Sequence, residues 1–280
     1  MSDTLTVAAP AKVNLFLHVT GRRADGYHTL ESLFALVDLA DSLTLTMRDD
    51  GAIRRTSIVA GVPADEDLAL RAARALQEVS GTRAGVDVTV DKRIPMGAGL
   101  GGGSSDAASV LLALNRLWRL GWPRARLAEV AASLGADVPF FVGGRNAVAR
   151  GIGEALTPVT LPEQWLVLVQ PPAHVHTADV FAAPELTRDS PSAKIDVFSE
   201  GYGRNDLERI TRSRHPSVDE ALVALREVSP QARMTGSGAC VFAAFAARAQ
   251  AERAVRAMSA HGTTHLVRTL ERHPLLGFAR

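Results

Sequence analysis

An α+β fold in two domains is predicted by three features of the chain. Apolar patterns of period two and period 3.6 follow one another without settling into a repeating strand–helix unit. One strand pattern, "GVDVTVDK", runs into the glycine-dense "PMGAGLGGGSSDAA" and from there into a helical stripe. Around residues 156–162 the pattern changes and "QWLVLVQPP" begins a new buried strand, which divides the chain into 1–158 and 159–280.

Taken in order, Val13, Leu15, Leu17 and Val19 alternate with Lys12, Asn14, Phe16 and His18, the pattern of a half-buried strand. Lys12 and Asn14 therefore share a face. Asp25-Gly26 predicts a reversal from which Tyr27 and His28 emerge. From Leu30 to Leu39 strand and helix patterns compete. Leu68 to Val79 has helical spacing and stops before Gly81, and Val86, Val88 and Val90 alternate as a strand. After the glycines, Ala107, Val110, Leu111, Leu114, Leu117 and Trp118 form a helical stripe that ends near Gly121 and Pro123. A second short helix, Leu127 to Leu134, stops at Gly135 and delivers Asp137 into a non-helical approach to Pro139.

In the second half, Ser217 and Glu220 form a capping box at the head of "SVDEALVALREV". A strand at Val241 to Phe245, a helix near Ala249 to Met258 and a strand near Leu266 complete the pattern. "RDSPSAK" is expected to be a flexible surface loop, and the chain has no internal repeat.

The composition excludes several classes of function. With 280 residues, 46% of them hydrophobic, the chain can bury a substantial core. Its 31 basic and 30 acidic side chains nearly cancel, so no global field favours nucleic acid or an anionic membrane, and any phosphate affinity must be local. Asp3 precedes the first apolar run without a basic residue, and no apolar stretch nears the roughly 20 residues of a membrane helix. The expectation is a soluble cytoplasmic protein with a small-molecule ligand. Cys240 stands alone, which fits a reducing compartment and a small buried side chain better than a nucleophile. His174 and His176 lie two apart on a possible strand face, but no third ligand accompanies them and zinc is not expected.

Glycine occupies five of the seven positions from Gly97 to Gly103, directly before a helix. Bare backbone leading into a helix N-terminus lets several N–H groups converge on an oxyanion at the positive end of the helix dipole. Gly97, Gly99 and Gly102 satisfy G-x-G-x-x-G, but the acidic residue that a dinucleotide fold needs about 20 positions on is replaced by "LGWPRA". The G-K-[ST] of a P-loop and the H-R-D and D-F-G of protein kinases are also missing.

The full loop, together with "PAKVNLFLHV" and a second glycine loop "MTGSGACVF" at 234–242, resembles the GHMP kinases. "GRRADGYHTLESLF", "GADVPFFVGG" and "GRNDLE" resemble the branch of that family that phosphorylates the 2-hydroxyl of a cytidine-diphosphate-linked methylerythritol in the non-mevalonate route to isoprenoid precursors. The resemblance implies a two-domain GHMP kinase fold with the active site in the interdomain cleft, and ATP and Mg²⁺ as its nucleotide and metal. It places catalysis at Lys12 and Asp137. It assigns the ATP phosphates to Pro95, Met96, Gly97, Ala98, Gly99, Leu100, Gly101, Gly102, Gly103, Ser104 and Ser105, with Lys92 also at the nucleotide. Asn14, Tyr27, His28, Ile152, Thr177 and Phe181 would line the substrate, Tyr27 and Phe181 stacking on the two faces of cytosine while His28 reads its edge.

Ser104 or Ser105 could hold Mg²⁺, and both could equally cap the helix. One departure is Asp67, where the family commonly has Asn before Leu68. Homoserine or mevalonate as acceptor is disfavoured because neither has a base to stack. A nucleotide sensor without catalysis is disfavoured by the intact Lys12 and Asp137.

Overall fold

The computed structural model describes residues 3–192 and 203–280. The chain opens with two long strands, β1 (Thr4–Arg22) and β2 (His28–Arg48), followed by β3 (Ile53–Arg55), α1 (Leu68–Ser80) and β4 (Gly85–Asp91). Next come α2 (Gly102–Leu117), α3 (Arg124–Ala132), α4 (Val138–Gly143), β5 (Ala147–Arg150) and β6 (Ala155–Pro158). The remainder is β7 (Trp165–Gln170), α5 (Thr177–Ala182), α6 (Glu208–Arg214), α7 (Pro216–Val228), β8 (Arg233–Met234), β9 (Val241–Phe245), α8 (Arg248–Met258) and β10 (Thr263–Leu270). The fold is α+β, as the sequence pattern predicts.

The strands form one sheet with the path β3-β4-β2-β10-β7-β9-β8, while β1 pairs with β2 and β5 bridges β2 and β6. Every pairing is antiparallel except β3 with β4. β1 and β2 are joined by the predicted Asp25-Gly26 reversal, in which Arg23 N–H donates to the Tyr27 carbonyl at 2.7 Å and Tyr27 N–H to Asp25 Oδ1 at 3.2 Å.

β2 explains why Leu30 to Leu39 carries no clear period. Phe34 and Leu36 enter the core under α1 and α2, while Leu33, Ala35 and Val37 enter a second core on the opposite face with Leu166, Leu168 and Phe242. A strand buried on both faces loses its alternation. β1 departs from the half-buried expectation for the same reason: Lys12, Asn14 and His18 are buried as well as their apolar neighbours. α2 likewise is no surface helix, since every residue from Ser105 to Asn115 is buried. It runs through the middle of the N-terminal core.

Two further expectations are corrected. Asp137 does not lead past Pro139 into extended chain, because α4 starts at Val138 with the proline in its first turn, where its missing N–H is no loss. Ser217 does not cap α7: the helix begins at Pro216 after His215, and no side chain caps it. The fixed φ of Pro216 sets the helix start two residues earlier and leaves Ser217 inside the first turn. His174 and His176 stand on a loop before α5 rather than on a strand. In "RDSPSAK", Arg188 makes a dense set of hydrogen bonds and Ser190 is buried, so that part is anchored; Ala193 and Lys194 lie outside the described residues. Among the described residues no helix is long and apolar enough to cross a membrane.

Candidate active site

The glycine loop closes the turn between β4 and α2. Gly101 is the N-cap, left-handed at φ 70°, with no side-chain cap. The first intrahelical bond at this end runs from Ser105 N–H to the Gly101 carbonyl at 2.9 Å, which leaves the N–H groups of Gly102, Gly103 and Ser104 without helical partners. An uncapped end of a 16-residue helix is a ready anion site.

Gly99 shows why the loop cannot carry side chains. It is left-handed at φ 75°, and a Cβ there would sit 2.4 Å from the Thr235 carbonyl oxygen. The predicted second glycine loop thus packs directly on the first. A Cβ on Gly236 would in turn meet Gly99 Cα and its carbonyl oxygen at 3.1 Å.

Two cavities flank this contact. The smaller, of about 380 Å³, is lined by Pro95 to Ser104, Lys92, Asp106, Val59, Val62 and the start of α1 at Asp67 and Leu68. The larger, of about 850 Å³, is lined by Lys12, Asn14, Tyr27, His28, Asp137, Ile152, Thr177 and Phe181, together with Arg22, Arg188 and Ser237. Gly99, Gly101 and Ser104 line both. The structure therefore gathers all the predicted catalytic and substrate positions around one cavity, and the predicted nucleotide positions around the other, with one exception. Ser105 reaches neither cavity, because its Oγ donates to the Pro10 carbonyl at 2.6 Å and the residue is fully buried against β1.

At the meeting of the cavities, Lys12 Nζ lies 3.6 Å from Asp137 Oδ2. Lys12 is only 4% exposed, while the Asp137 side chain keeps 33% of its surface open to the cleft. The ammonium also donates to Asn14 Oδ1 at 2.5 Å, and lies 5.1 Å from the centre of the Phe34 ring. Asn14 Nδ2 donates to Ser32 Oγ at 2.8 Å, and Ser32 Oγ to the Phe16 carbonyl at 2.5 Å. This chain of donors fixes the Asn14 amide with its oxygen toward the lysine. From the other half of the molecule, Thr235 Oγ1 accepts from Asn14 N–H at 2.9 Å.

Lys92 is held differently from Lys12. Its ammonium contacts Asp41 and, at 2.8 Å, Asp106 Oδ2. Asp41 Oδ1 also accepts from Arg93 and Ile94 N–H at 2.6 and 2.8 Å, which pins the chain just before the glycine loop. Burial pushes Asp106 up to about 8 against the pull of Lys92, and its Oδ1 is buried without a hydrogen-bond partner. Nothing local in the sequence marks Asp41 as a partner of Lys92, whereas Asp106 lies inside "PMGAGLGGGSSDAA" itself. Asp67 caps α1 by accepting from Ala69 N–H at 2.9 Å, and takes Arg55 Nη1 at 2.8 Å.

At the far end of the larger cavity, the His28 and Phe181 rings lie 5.3 Å apart with planes 29° from parallel, and Tyr27 is 62% exposed at the hairpin tip. Arg188 Nε donates to His28 Nε2 at 3.0 Å. Burial, and then the charges of Arg188 and Arg22, hold the His28 imidazole below its ordinary range. Cys240 is buried and its thiol is pushed up to about 12 by that burial, in keeping with a packing role.

An uncapped helix N-terminus that opens onto a lysine–aspartate pair in a cleft is the arrangement an ATP-dependent small-molecule kinase needs, and the family models that match the chain are those of such kinases. The model for the GHMP kinases N terminal domain matches residues 67–145, and that for the GHMP kinases C terminal matches 189–264. A 4-diphosphocytidyl-2-C-methyl-D-erythritol kinase from Cupriavidus metallidurans is 53% identical over 276 residues, 97% of this chain and 94% of its own. One from Thiobacillus denitrificans is 54% identical over 270 residues, 96% of this chain and 97% of its own. A crystal structure of a 4-(cytidine 5'-diphospho)-2C-methyl-D-erythritol kinase superposes with a TM-score of 0.84 at 38% identity, covering 95% of this chain and 99% of that one. The chain belongs to the GHMP kinases and, within them, to the 4-diphosphocytidyl-2-C-methyl-D-erythritol kinases.

Proposed function

We propose that this chain transfers the γ-phosphoryl group of ATP to the 2-hydroxyl of 4-diphosphocytidyl-2-C-methyl-D-erythritol, using Lys12 and Asp137. The observation that carries the reading is the junction at Gly99, Gly101 and Ser104, which line both cavities, so that a phosphate bound at the helix N-terminus would border the Lys12–Asp137 pair. The substrate hydroxyl oxygen attacks the γ-phosphorus, the bond from that phosphorus to the ADP oxygen breaks, and the hydroxyl proton passes to the Asp137 carboxylate. Lys12 stabilises the charge on the transferring group, and Asn14 aims the ammonium. A transition state of this kind demands positioning more than covalent chemistry, which suits a lysine held by a buried network.

The cytosine end binds among Tyr27, His28 and Phe181, with Ile152 and Thr177 along the cleft wall. Lys92 stabilises the loop through Asp41 and Asp106 as well as bordering the nucleotide cavity. Mg²⁺ fits this cavity. Ser104 Oγ and the unpaired Asp106 Oδ1 are hard oxygen donors, and a cation beside Asp106 would relieve the cost of its burial. When bound, it would neutralise phosphate charge. The division near residue 158 assigns ATP to the first part of the chain, and the enzyme works in the cytoplasm.

The test is ADP release by the purified protein, measured by coupled assay with ATP and one acceptor at a time. ADP should form with 4-diphosphocytidyl-2-C-methyl-D-erythritol and not with homoserine or mevalonate. Turnover with either of the latter at comparable kcat/KM would overturn the substrate assignment.

A further inference from the structure

Arg188 lines the larger cavity at its base-binding end, where it donates to the His28 ring and to the main-chain carbonyl of Phe181. An arginine has five N–H donors in a fixed plane. Here Nε donates to His28 Nε2 at 3.0 Å, Nη1 to the carbonyls of Leu186 at 3.0 Å and Pro184 at 3.4 Å, and Nη2 to those of Ala183 at 2.7 Å and Phe181 at 3.3 Å. All five are engaged within the protein. The group lines a ligand cavity with no donor left for a ligand phosphate, so its charge is in the wall for another purpose.

The bond to His28 carries that purpose. A guanidinium nitrogen can only donate, so His28 Nε2 must accept and be without a proton. The other nitrogen, Nδ1, then bears the only ring proton. Protonating Nε2 as well would set an N–H against an N–H, and both Arg188 and Arg22 face the ring with positive charge. Asp25, a carboxylate in the wall of this cavity, is paired with Arg23 at 2.7 Å and accepts from Tyr27 N–H. His28 thus presents to the cavity a neutral ring with a single donor.

We propose that Arg188 is a positioning residue that locks His28 in the Nδ1–H tautomer, and that this fixed donor makes the site select cytosine over uracil. The reason lies in the two bases. Cytosine N3 is an acceptor, whereas uracil N3 carries a hydrogen. A ring that can only donate matches the first and opposes the second. An imidazole free to change tautomer would accommodate either. A site built around a fixed donor discriminates strongly, because the wrong partner leaves buried polar groups unpaired. The inference rests on the base-binding role given to His28 under the proposed function.

Two measurements on the full chain test it. Long-range ¹H–¹⁵N spectra of the ¹⁵N-histidine-labelled protein, with His28 assigned by its loss in His28→Gln, should show Nδ1 protonated and Nε2 bare at neutral pH. The opposite tautomer, or exchange between the two, overturns the proposal without any ligand being present. Binding of CDP and UDP by calorimetry gives the second readout. The wild type should prefer CDP by about tenfold or more, and Arg188→Met should cut that preference about tenfold. Loss of the carbonyl contacts alone would weaken CDP and UDP equally, so an unchanged ratio in Arg188→Met overturns the specificity role. Arg188→Lys, which keeps the charge and can still donate to Nε2, should retain more of the ratio than Arg188→Met; it serves for the comparison if the methionine variant does not fold. A wild type with the predicted tautomer that binds neither CDP nor UDP would refute the base-binding reading instead.

Discussion

Substituting Gly99 by Ala tests the contact between the two glycine loops at the smallest possible cost in volume. The backbone at Gly99 is left-handed at φ 75°, a conformation that costs an L side chain about 1–2 kcal/mol. The added Cβ also lands 2.4 Å from the Thr235 carbonyl oxygen, well inside any real contact, so one loop must move by several tenths of an ångström. Thr235 Oγ1 bonds Asn14 N–H, and Asn14 aims Lys12, so the displacement reaches the phosphoryl-transfer pair as well as the helix N-terminus. The two costs together amount to about 2–4 kcal/mol of stability, a drop in Tm of roughly 3–7 °C for a chain of this size. Thermal unfolding reads the first effect, and calorimetric titration with a non-hydrolysable ATP analogue reads the second. ATP affinity should fall about tenfold or more, and CDP affinity much less. Gly99→Ala protein with wild-type Tm and wild-type ATP affinity would refute the packing argument.

Other outcomes follow from the same geometry. Tyr27→Ala and Phe181→Ala should each weaken CDP by about 1–3 kcal/mol with little change in ATP affinity; equal losses for both nucleotides would point to general packing damage. His273, buried beside Arg124, has its imidazole held down to about 3 by burial first and the arginine second. Its unfolded form takes up a proton near pH 6.5 while the folded form does not, so stability should be intact above that pH and decline below it. Denaturant unfolding should register a contribution of about 2 kcal/mol lost by pH 5, and a steeper loss at pH 7 to 8 than at pH 5 to 6 would contradict the assignment. Cys240 should resist iodoacetamide at pH 8 in the native protein and react once the chain is unfolded; native-state labelling at the unfolded rate would be inconsistent with its burial.

The parts of this molecule that are legible in its sequence are those settled by local chemistry. The Asp25-Gly26 reversal, the stop at Gly81 and the loop from Gly97 to Gly103 each depend on residues adjacent in the chain. β9 falls at Val241–Phe245 and α8 ends at Met258 as their patterns predict. β2 is illegible because a strand covered on both faces carries no alternation, and the start of α7 is misread because the capping-box pattern at Ser217 yields to the proline one residue before it. At the site, Lys12, Asn14 and Asp137 are legible through the family motifs around them, and only the folded geometry brings the first and last to 3.6 Å. Arg188 and His28 are 160 positions apart, and Lys92 is 51 from Asp41. Pairings at that separation have no local signature.

The most direct measurement is kcat of Asp137→Asn with ATP and 4-diphosphocytidyl-2-C-methyl-D-erythritol both saturating. The amide keeps the shape and can still hydrogen-bond the acceptor hydroxyl, but it can neither take the proton nor supply negative charge opposite Lys12. General-base catalysis is worth about 10² to 10⁴ in rate, and a loose transition state leans toward the lower figure. The account predicts a fall in kcat of at least about 100-fold, with both ligands still bound at close to wild-type affinity. A folded Asp137→Asn enzyme that turns over at near the wild-type rate would contradict it.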